Sequence, residues 1–176
     1  MPDHGLVHRF QAHERRRREP VGGIVTGLHR LACDYVIGEL GPEALPSIAA
    51  EALARGVDSL ALRELAGCNA SDDVRDIRDL YLAAMAELEI PMPDADSVLW
   101  EKVRLWARCM VEATVSPYEG ASQIERYGVA LGSPQEIGDI PYLMALWAEY
   151  PARRRELEIS MVEEARSLLP RPEEAG

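Results

Sequence analysis

Hydrophobic residues recur every three or four positions along most of this chain, which is the spacing of α-helices with one buried face. From residue 24 onward such stripes follow one another with short breaks between them. Two clear examples are Val74, Ile77, Tyr81, Ala84, Met85 and Leu88, and then Leu99, Trp100, Val103, Trp106, Ala107, Met110 and Val111. No segment alternates apolar and polar residues with the period of two that a half-buried strand requires. We therefore predict an all-α fold, arranged as a single-domain orthogonal helical bundle or a short superhelical stack of about seven helices.

Capping residues predict where several of these helices begin. Asp58 or Ser59 is expected to cap a short helix, because Asp and Ser side chains accept the unpaired N–H groups of a first helical turn. Ser71 is expected to cap the next helix. The segments Ser116-Pro117-Tyr118-Glu119 and Ser133-Pro134-Gln135-Glu136 both have the sequence of a capping box with proline at the first helical position.

Charge is divided unevenly between the start of the chain and the rest. Residues 1–30 carry six arginines against three acidic residues, whereas residues 31–176 carry 13 basic and 27 acidic residues, within a total net charge of −11. An acidic body of this kind disfavours unaided binding to nucleic-acid phosphates and favours a basic protein partner.

The distribution of charge and of apolar residues also predicts how the chain is organised. Arg15–Arg18 form a basic run with little apolar periodicity around it. We expect a flexible basic tail over residues 1–22, a helical domain over 23–170 and a disordered C-terminus over 171–176.

Composition narrows the class of protein. Phe occurs once and aromatic residues make up 6%, so the interior is expected to consist of Leu, Ala, Val, Ile and Met. The three cysteines are widely separated and show no Cys-x-x-Cys spacing, which argues against a disulfide framework and a zinc ribbon. No apolar run has the length of a membrane span, and no signal-like segment begins the chain. We expect a cytoplasmic protein without a membrane span and without a cofactor.

Residues 48–66 resemble a DNA-binding helix-turn-helix, because Gly56-Val57 falls between two apolar helical stretches. A helix that reads DNA needs exposed polar and basic side chains. The second helix here offers Arg63 beside Glu64 and is otherwise largely apolar. An ordinary pair of packed helices is therefore the better interpretation, and a transcriptional regulator is the first alternative.

The string Asp72-Asp73-Val74-Arg75-Asp76 matches the pattern by which isoprenoid synthases hold magnesium, since a hard cation prefers converging carboxylates. Acidic residues at this position are also what a helix start favours. With no second acidic motif in the chain, capping is the better account, and a small metal-dependent enzyme at Asp72, Asp73 and Asp76 is the second alternative.

Two groups of charged residues have the pattern of a partner surface. Asp72, Asp76 and Asp79 are expected to share the solvent side of one helix. Arg153, Arg154 and Arg155 begin the last helix, where positive charge opposes the helix dipole. We expect an acidic neighbour in the same fold or another chain to hold these arginines.

Two segments carry a resemblance to a known group of proteins. They are Gly56-Val57-Asp58-Ser59 with Leu62–Gly67, and Trp106-Ala107-Arg108 with Ser116–Ala121. These residues resemble a family of small helical proteins from GC-rich, actinobacterial-type bacteria, over about residues 30–169. The resemblance implies a helical fold and adds no catalytic residue.

Taken together, these features favour a non-enzymatic interaction module, such as an immunity-like or adaptor protein, that binds a basic protein partner through an acidic helical surface.

Overall fold

The computed structural model describes residues 21–69 and 71–170, with side chains from residue 27 onward. All regular structure in these ranges is helical, so the predicted all-α class is confirmed, with eight α-helices where about seven were expected. The α-helices are α1 (Val21–Val36), α2 (Leu45–Ala54), α3 (Leu60–Ala66), α4 (Val74–Glu87), α5 (Ala95–Val111), α6 (Pro117–Ala130), α7 (Ile140–Glu149) and α8 (Arg154–Ser167). Three short 3-10 helices span Pro42–Ala44, Gln135–Ile137 and Pro151–Arg153. The predicted disordered C-terminus, residues 171–176, and all but residues 21 and 22 of the predicted tail lie outside the described residues.

The helices form two compact units, Met1–Met92 and Pro93–Gly176. Among the described residues, α1 to α4 belong to the first unit and α5 to α8 to the second. A single domain over residues 23–170 stays a prediction, because compactness within each half does not decide whether the halves fold independently.

The interior of both units is built from the residue types that the composition predicted. Among the described residues, the buried side chains are almost all Leu, Ala, Ile, Met and Val, joined by Tyr81 and Tyr127. In the first unit, α2, α3 and α4 bury Leu45, Leu62, Leu65, Ile77 and Met85 in a shared cluster. Val74, expected to face this core, is 58% exposed, because it occupies the first position of α4 and lies beyond the cluster.

A long-range hydrogen bond joins α3 to the end of α4. The Glu87 carboxylate accepts the backbone N–H of Ala61 at 3.0 Å. This bond, and further hydrogen bonds from the Ser59 hydroxyl and the Leu60 N–H, hold the pKa of Glu87 below its usual value. Ser59 also accepts the Leu62 N–H at 3.2 Å, so the predicted cap at this position is confirmed. A carboxylate from α4 therefore completes the cap of α3.

Two predicted caps differ from the structure. α4 is capped by Asp73, whose side chain accepts the Arg75 N–H at 2.8 Å, and not by Ser71. Ser133 has φ 57° and closes the end of α6 by donating its N–H to the Gly128 carbonyl at 2.7 Å. In that left-handed conformation Ser133 ends one helix and does not start the next. By contrast, Ser116 does cap α6, accepting the Glu119 N–H at 3.3 Å.

In the second unit, α5 and α6 form the most extensive helix contact, and α8 packs against α5, α6 and α7. Gly120 lies buried in α6 where it faces Met110 of α5. A Cβ on Gly120 would lie 2.6 Å from the Met110 sulfur and closer still to its Cγ. The absence of a side chain at this position lets the two helices approach closely.

We predict that Gly120→Ala destabilises the protein by about 1–2 kcal/mol, because the buried Met110 side chain must shift and the cost exceeds the gain in helix propensity. Gly27→Ala is the matched control, since a Cβ on Gly27 meets nothing within 4 Å and alanine favours the helix. Urea unfolding monitored by circular dichroism measures both variants. A Gly120→Ala variant as stable as Gly27→Ala would contradict the close contact.

Candidate interaction surfaces

The acidic residues expected to bind a partner lie on α4 and on the loop before it. Asp72 is in the loop, Asp76 and Asp79 are on the side of α4 away from its buried stripe, and all three are exposed. Glu64, near the end of α3, is also exposed. Glu64, Asp72 and Asp76 all lie close enough to Cys68 for their charges to act on its thiol. We refer to Glu64, Asp72, Asp76 and Asp79 as the acidic face.

The Cys68 thiol reports on the negative potential of this face. Partial burial, followed by the charges of Asp72, Asp76 and Glu64, raises the pKa of Cys68 above its usual value. The thiol lies over the end of α3, within 3.5 Å of the Glu64 carbonyl oxygen. The charges of Glu64 on α3, of Asp76 on α4 and of Asp72 in the loop thus act on the same thiol.

The carboxylates of the acidic face are not neutralised by the arginines beside them. Among the described residues, neither Arg75 nor Arg78 forms an ion pair with Asp72, Asp76 or Asp79. The described parts of the chain form ion pairs elsewhere, among them those of Arg55 with Glu51, Arg63 with Asp58 and Arg153 with Glu156. The carboxylates of the acidic face are therefore exposed and have no ion-pair partner among the described residues.

The Asp72-Asp73 pair forms local backbone bonds. Asp72 accepts the Asn69 N–H at 2.6 Å, and Asp73 accepts the Arg75 N–H as the cap of α4. Within residues 21–69 and 71–170, no group of three His, Cys, Asp or Glu side chains has the geometry to hold a metal ion. Asp73 therefore caps α4, whereas the bond of Asp72 lies in the turn before that helix.

The helix-turn-helix-like segment corresponds to α2, the turn at Gly56 and α3. Gly56 has φ 92°, a left-handed conformation that the turn needs and that glycine adopts without strain. Arg63 is the one basic residue of α3, and its guanidinium donates two hydrogen bonds to the Asp58 carboxylate. That pairing raises the pKa of Arg63 and lowers the pKa of Asp58. A bidentate pair of this kind occupies the side chain that would have to contact DNA.

The three arginines before and at the start of α8 have three different environments. Arg153 forms an ion pair with Glu156 at 2.8 Å, so this arginine has the acidic neighbour that the sequence predicted. The Arg154 guanidinium lies 3.9 Å from the centre of the Trp147 ring, and its Nε donates to the Trp147 carbonyl at 3.3 Å. Arg155 lines an open groove beside α8.

Trp147 is the centre of an aromatic and polar network that the sequence did not reveal. Its ring stacks on Tyr118 with centroids 4.1 Å apart, and its Nε1–H donates to Glu158 at 3.1 Å. Arg154 lies against the same indole, in the last turn of α7, where carbonyl groups lack helical partners. The positive charge of Arg154 is therefore unfavourable at the N-terminus of α8 and favourable at the C-terminus of α7.

The aspartates Asp72, Asp76 and Asp79 thus lie in the first unit, and the arginines Arg153, Arg154 and Arg155 lie in the second. Asp76 and Asp79 share one face of α4 as predicted, but Asp72 lies in the loop before that helix, and the arginines diverge onto Glu156, Trp147 and the groove.

Comparison with protein-family models, with curated proteins and with solved structures finds no match to this chain. The family resemblance inferred from the sequence stays a prediction. In the described part of the chain, no helix combines the length and the apolar character needed to span a bilayer.

We predict that removing charge from the acidic face makes Cys68 more reactive. In an Asp72→Asn/Asp76→Asn variant the pKa of the thiol falls toward its usual value, so more thiolate is present at pH 8 and alkylation by iodoacetamide is faster. Peptide mass spectrometry distinguishes Cys68 from Cys33 and Cys109. A Glu101→Gln/Glu112→Gln variant, which loses two exposed charges in the second unit, is expected to leave the Cys68 rate unchanged. Equal alkylation rates of Cys68 in wild type and Asp72→Asn/Asp76→Asn would contradict the effect of these two charges on the pKa of the thiol.

We also predict that Arg154→Ala lowers the stability of the second unit by about 1 kcal/mol, the contribution of an exposed cation–π contact with one added hydrogen bond. Arg155→Ala is the matched control, because it removes the same charge from the adjacent position without an aromatic contact. Thermal unfolding followed by Trp fluorescence at low protein concentration compares the two. An equal loss of thermal stability in Arg154→Ala and Arg155→Ala would contradict the role of Trp147.

Proposed function

We propose that this protein is a non-enzymatic interaction module that binds a basic segment of a protein partner through the acidic face of its first unit. The observation that carries the proposal is the set of exposed carboxylates on α3, α4 and their connecting loop that no neighbouring arginine neutralises. An immunity-like or adaptor role fits such a module.

The geometry of α4 favours arginine side chains as the bound groups. Asp79 follows Asp76 by three residues on α4, so their carboxylates succeed one another by about 4.5 Å along the helix, and Asp72 lies in the loop that leads into it. An extended peptide presents alternate side chains about 6.6 Å apart on one side. Arginines at alternate positions of a partner segment could therefore reach successive carboxylates and bind them through paired N–H donors.

The net charge of −11 supports fast encounter with such a partner. Long-range attraction raises the association rate, and salt weakens it because exposed charges are screened over about 10 Å at 0.1 M ionic strength. A complex formed this way is expected to be sensitive to salt in both rate and affinity.

The two alternative functions have less support. A DNA-binding role needs Arg63, whose guanidinium is paired with Asp58. A magnesium-dependent enzyme needs Asp72, Asp73 and Asp76, and no three such side chains within the described residues have metal-binding geometry. Neither alternative has an observation of its own in its favour.

A direct test uses a fluorescein-labelled nona-arginine peptide and fluorescence anisotropy with the full chain. We predict that an Asp72→Asn/Asp76→Asn/Asp79→Asn variant binds the peptide about tenfold more weakly than wild type, because three exposed ion pairs are lost. The matched control is Glu101→Gln/Glu112→Gln/Glu149→Gln, which removes the same charge from exposed positions of the second unit. This control is expected to bind nearly as wild type does.

Equal weakening by both triple variants would contradict the proposal, because binding would then follow net charge alone. A mixed-sequence DNA duplex serves as a second ligand in the same assay. Binding of this duplex that is lost in Arg63→Ala would favour the transcriptional regulator. Capture of a natural partner from lysate, with release at high salt, would then identify what the acidic face binds.

A further inference from the structure

Helix α1 carries two side chains that can bind a metal, one turn apart. His29 and Cys33 are separated by four residues, so both side chains lie on the same side of the helix. The His29 Nε2 atom lies 3.9 Å from the Cys33 sulfur, a separation at which a hydrogen bond between the two atoms is weak. His29 is exposed and Cys33 is half-buried, so an ion can reach both atoms from the solvent.

A zinc ion fits between these two atoms. Zinc binds thiolate sulfur at about 2.3 Å and imidazole nitrogen at about 2.0–2.1 Å, so the separation of 3.9 Å lets one ion bind both with an angle of about 125–130° at the metal. Two ligands four residues apart are the pair that zinc-binding helices commonly present. Nitrogen together with sulfur also selects zinc or copper over the hard cations that carboxylates prefer.

A buried hydroxyl beside this pair is an independent sign of a ligand. Tyr81 of α4 is 3% exposed, and its hydroxyl has no hydrogen-bond partner among the described residues, although buried polar groups are normally paired. The Tyr81 ring packs against Tyr35 of α1, with centroids 4.8 Å apart. Burial, followed by the charges of Tyr35 and Cys33, raises the pKa of Tyr81 to about 12. The hydroxyl is therefore close enough to Cys33 to respond to a charge on its sulfur, and it keeps its proton.

We propose that His29 and Cys33 bind one zinc ion, or another ion that prefers sulfur and nitrogen ligands, with Tyr81 as a positioning residue beside the thiolate. Binding releases the Cys33 proton to the solvent, and the resulting thiolate accepts hydrogen bonds far better than a thiol does. The Tyr81 hydroxyl then donates to the sulfur. Water fills the remaining positions of the ion, because the chain supplies two ligands.

The site lies within the first unit, is separate from the acidic face and does not depend on the proposed function. It departs from the expectation of a chain without a cofactor. Because the ligands are on α1 and Tyr81 is on α4, a bound ion also links these two helices. Zinc is consequently expected to raise the melting temperature of the full chain, as any ligand of the folded state does.

Cysteine alkylation tests the two ligands in the full chain. Iodoacetamide is added at pH 8 with zinc or with EDTA, and peptide mass spectrometry follows each cysteine separately. We expect about 100 µM zinc to slow the alkylation of Cys33 at least about tenfold, because a bound thiolate is not available to react, and to leave Cys109 unchanged. His29→Ala is expected to abolish this protection. Arg30→Ala, at the adjacent exposed position of α1, is the matched control and keeps it.

The variant Tyr81→Phe tests the positioning role. It removes a hydroxyl without a partner, so the metal-free chain is expected to be at least as stable as wild type in urea unfolding. The zinc concentration that half-protects Cys33 is expected to rise about tenfold, because the hydrogen bond to the charged sulfur is lost. Tyr142→Phe, at a 62% exposed position of α7, is the control and is expected to change neither quantity.

Circular dichroism of each variant confirms that the helices are retained. The metal site is overturned if zinc leaves the alkylation of Cys33 unchanged, or if the protection survives His29→Ala. An unchanged half-protecting zinc concentration in Tyr81→Phe overturns the role of the hydroxyl.

Discussion

The close approach of helices through small side chains is the constraint on which the rest of this structure depends. Eight of the buried residues in the described part of the chain are alanines, and two are tyrosines, with no buried Phe or Trp among them. An interior of this kind fills only when helix axes come close, as α5 and α6 do at Gly120. The described α-helices have between 7 and 17 residues, so many helix ends need caps and the stability of the chain depends on them.

Carboxylates serve two different purposes in this acidic chain. Some are used inside the fold: Asp73 and Asp94 cap α4 and α5, and Glu87 reaches from α4 to the start of α3. Backbone and hydroxyl hydrogen bonds hold the pKa of Asp94 and Glu87 low, so these groups stay ionised where the fold needs them. On the acidic face, Asp72 accepts the Asn69 N–H, whereas the side chains of Glu64, Asp76 and Asp79 form no hydrogen bond or ion pair among the described residues. The acidic residues thus divide into those that stabilise the fold and those that are available to bind a partner.

Local sequence predicted the helices well because each depends on apolar spacing within itself, and it predicted Ser59 and Ser116 because their caps are local. It failed at Ser133, because the choice between ending one helix and starting the next depends on a backbone angle. It also missed Glu87, which is 26 residues from the N–H that it accepts. The exposure of Asp76 and Asp79 followed from helical periodicity, whereas Asp72 lies in the loop before α4, and the contact between Arg154 and Trp147 depends on how α7 and α8 pack.

The charge of the acidic face also limits which partner suits it. Two acidic faces repel each other, and the net charge of −11 repels whole copies as well, so a second copy is a poor occupant for the aspartates of α4. The charge of the acidic face therefore favours a basic segment over a second copy of this chain.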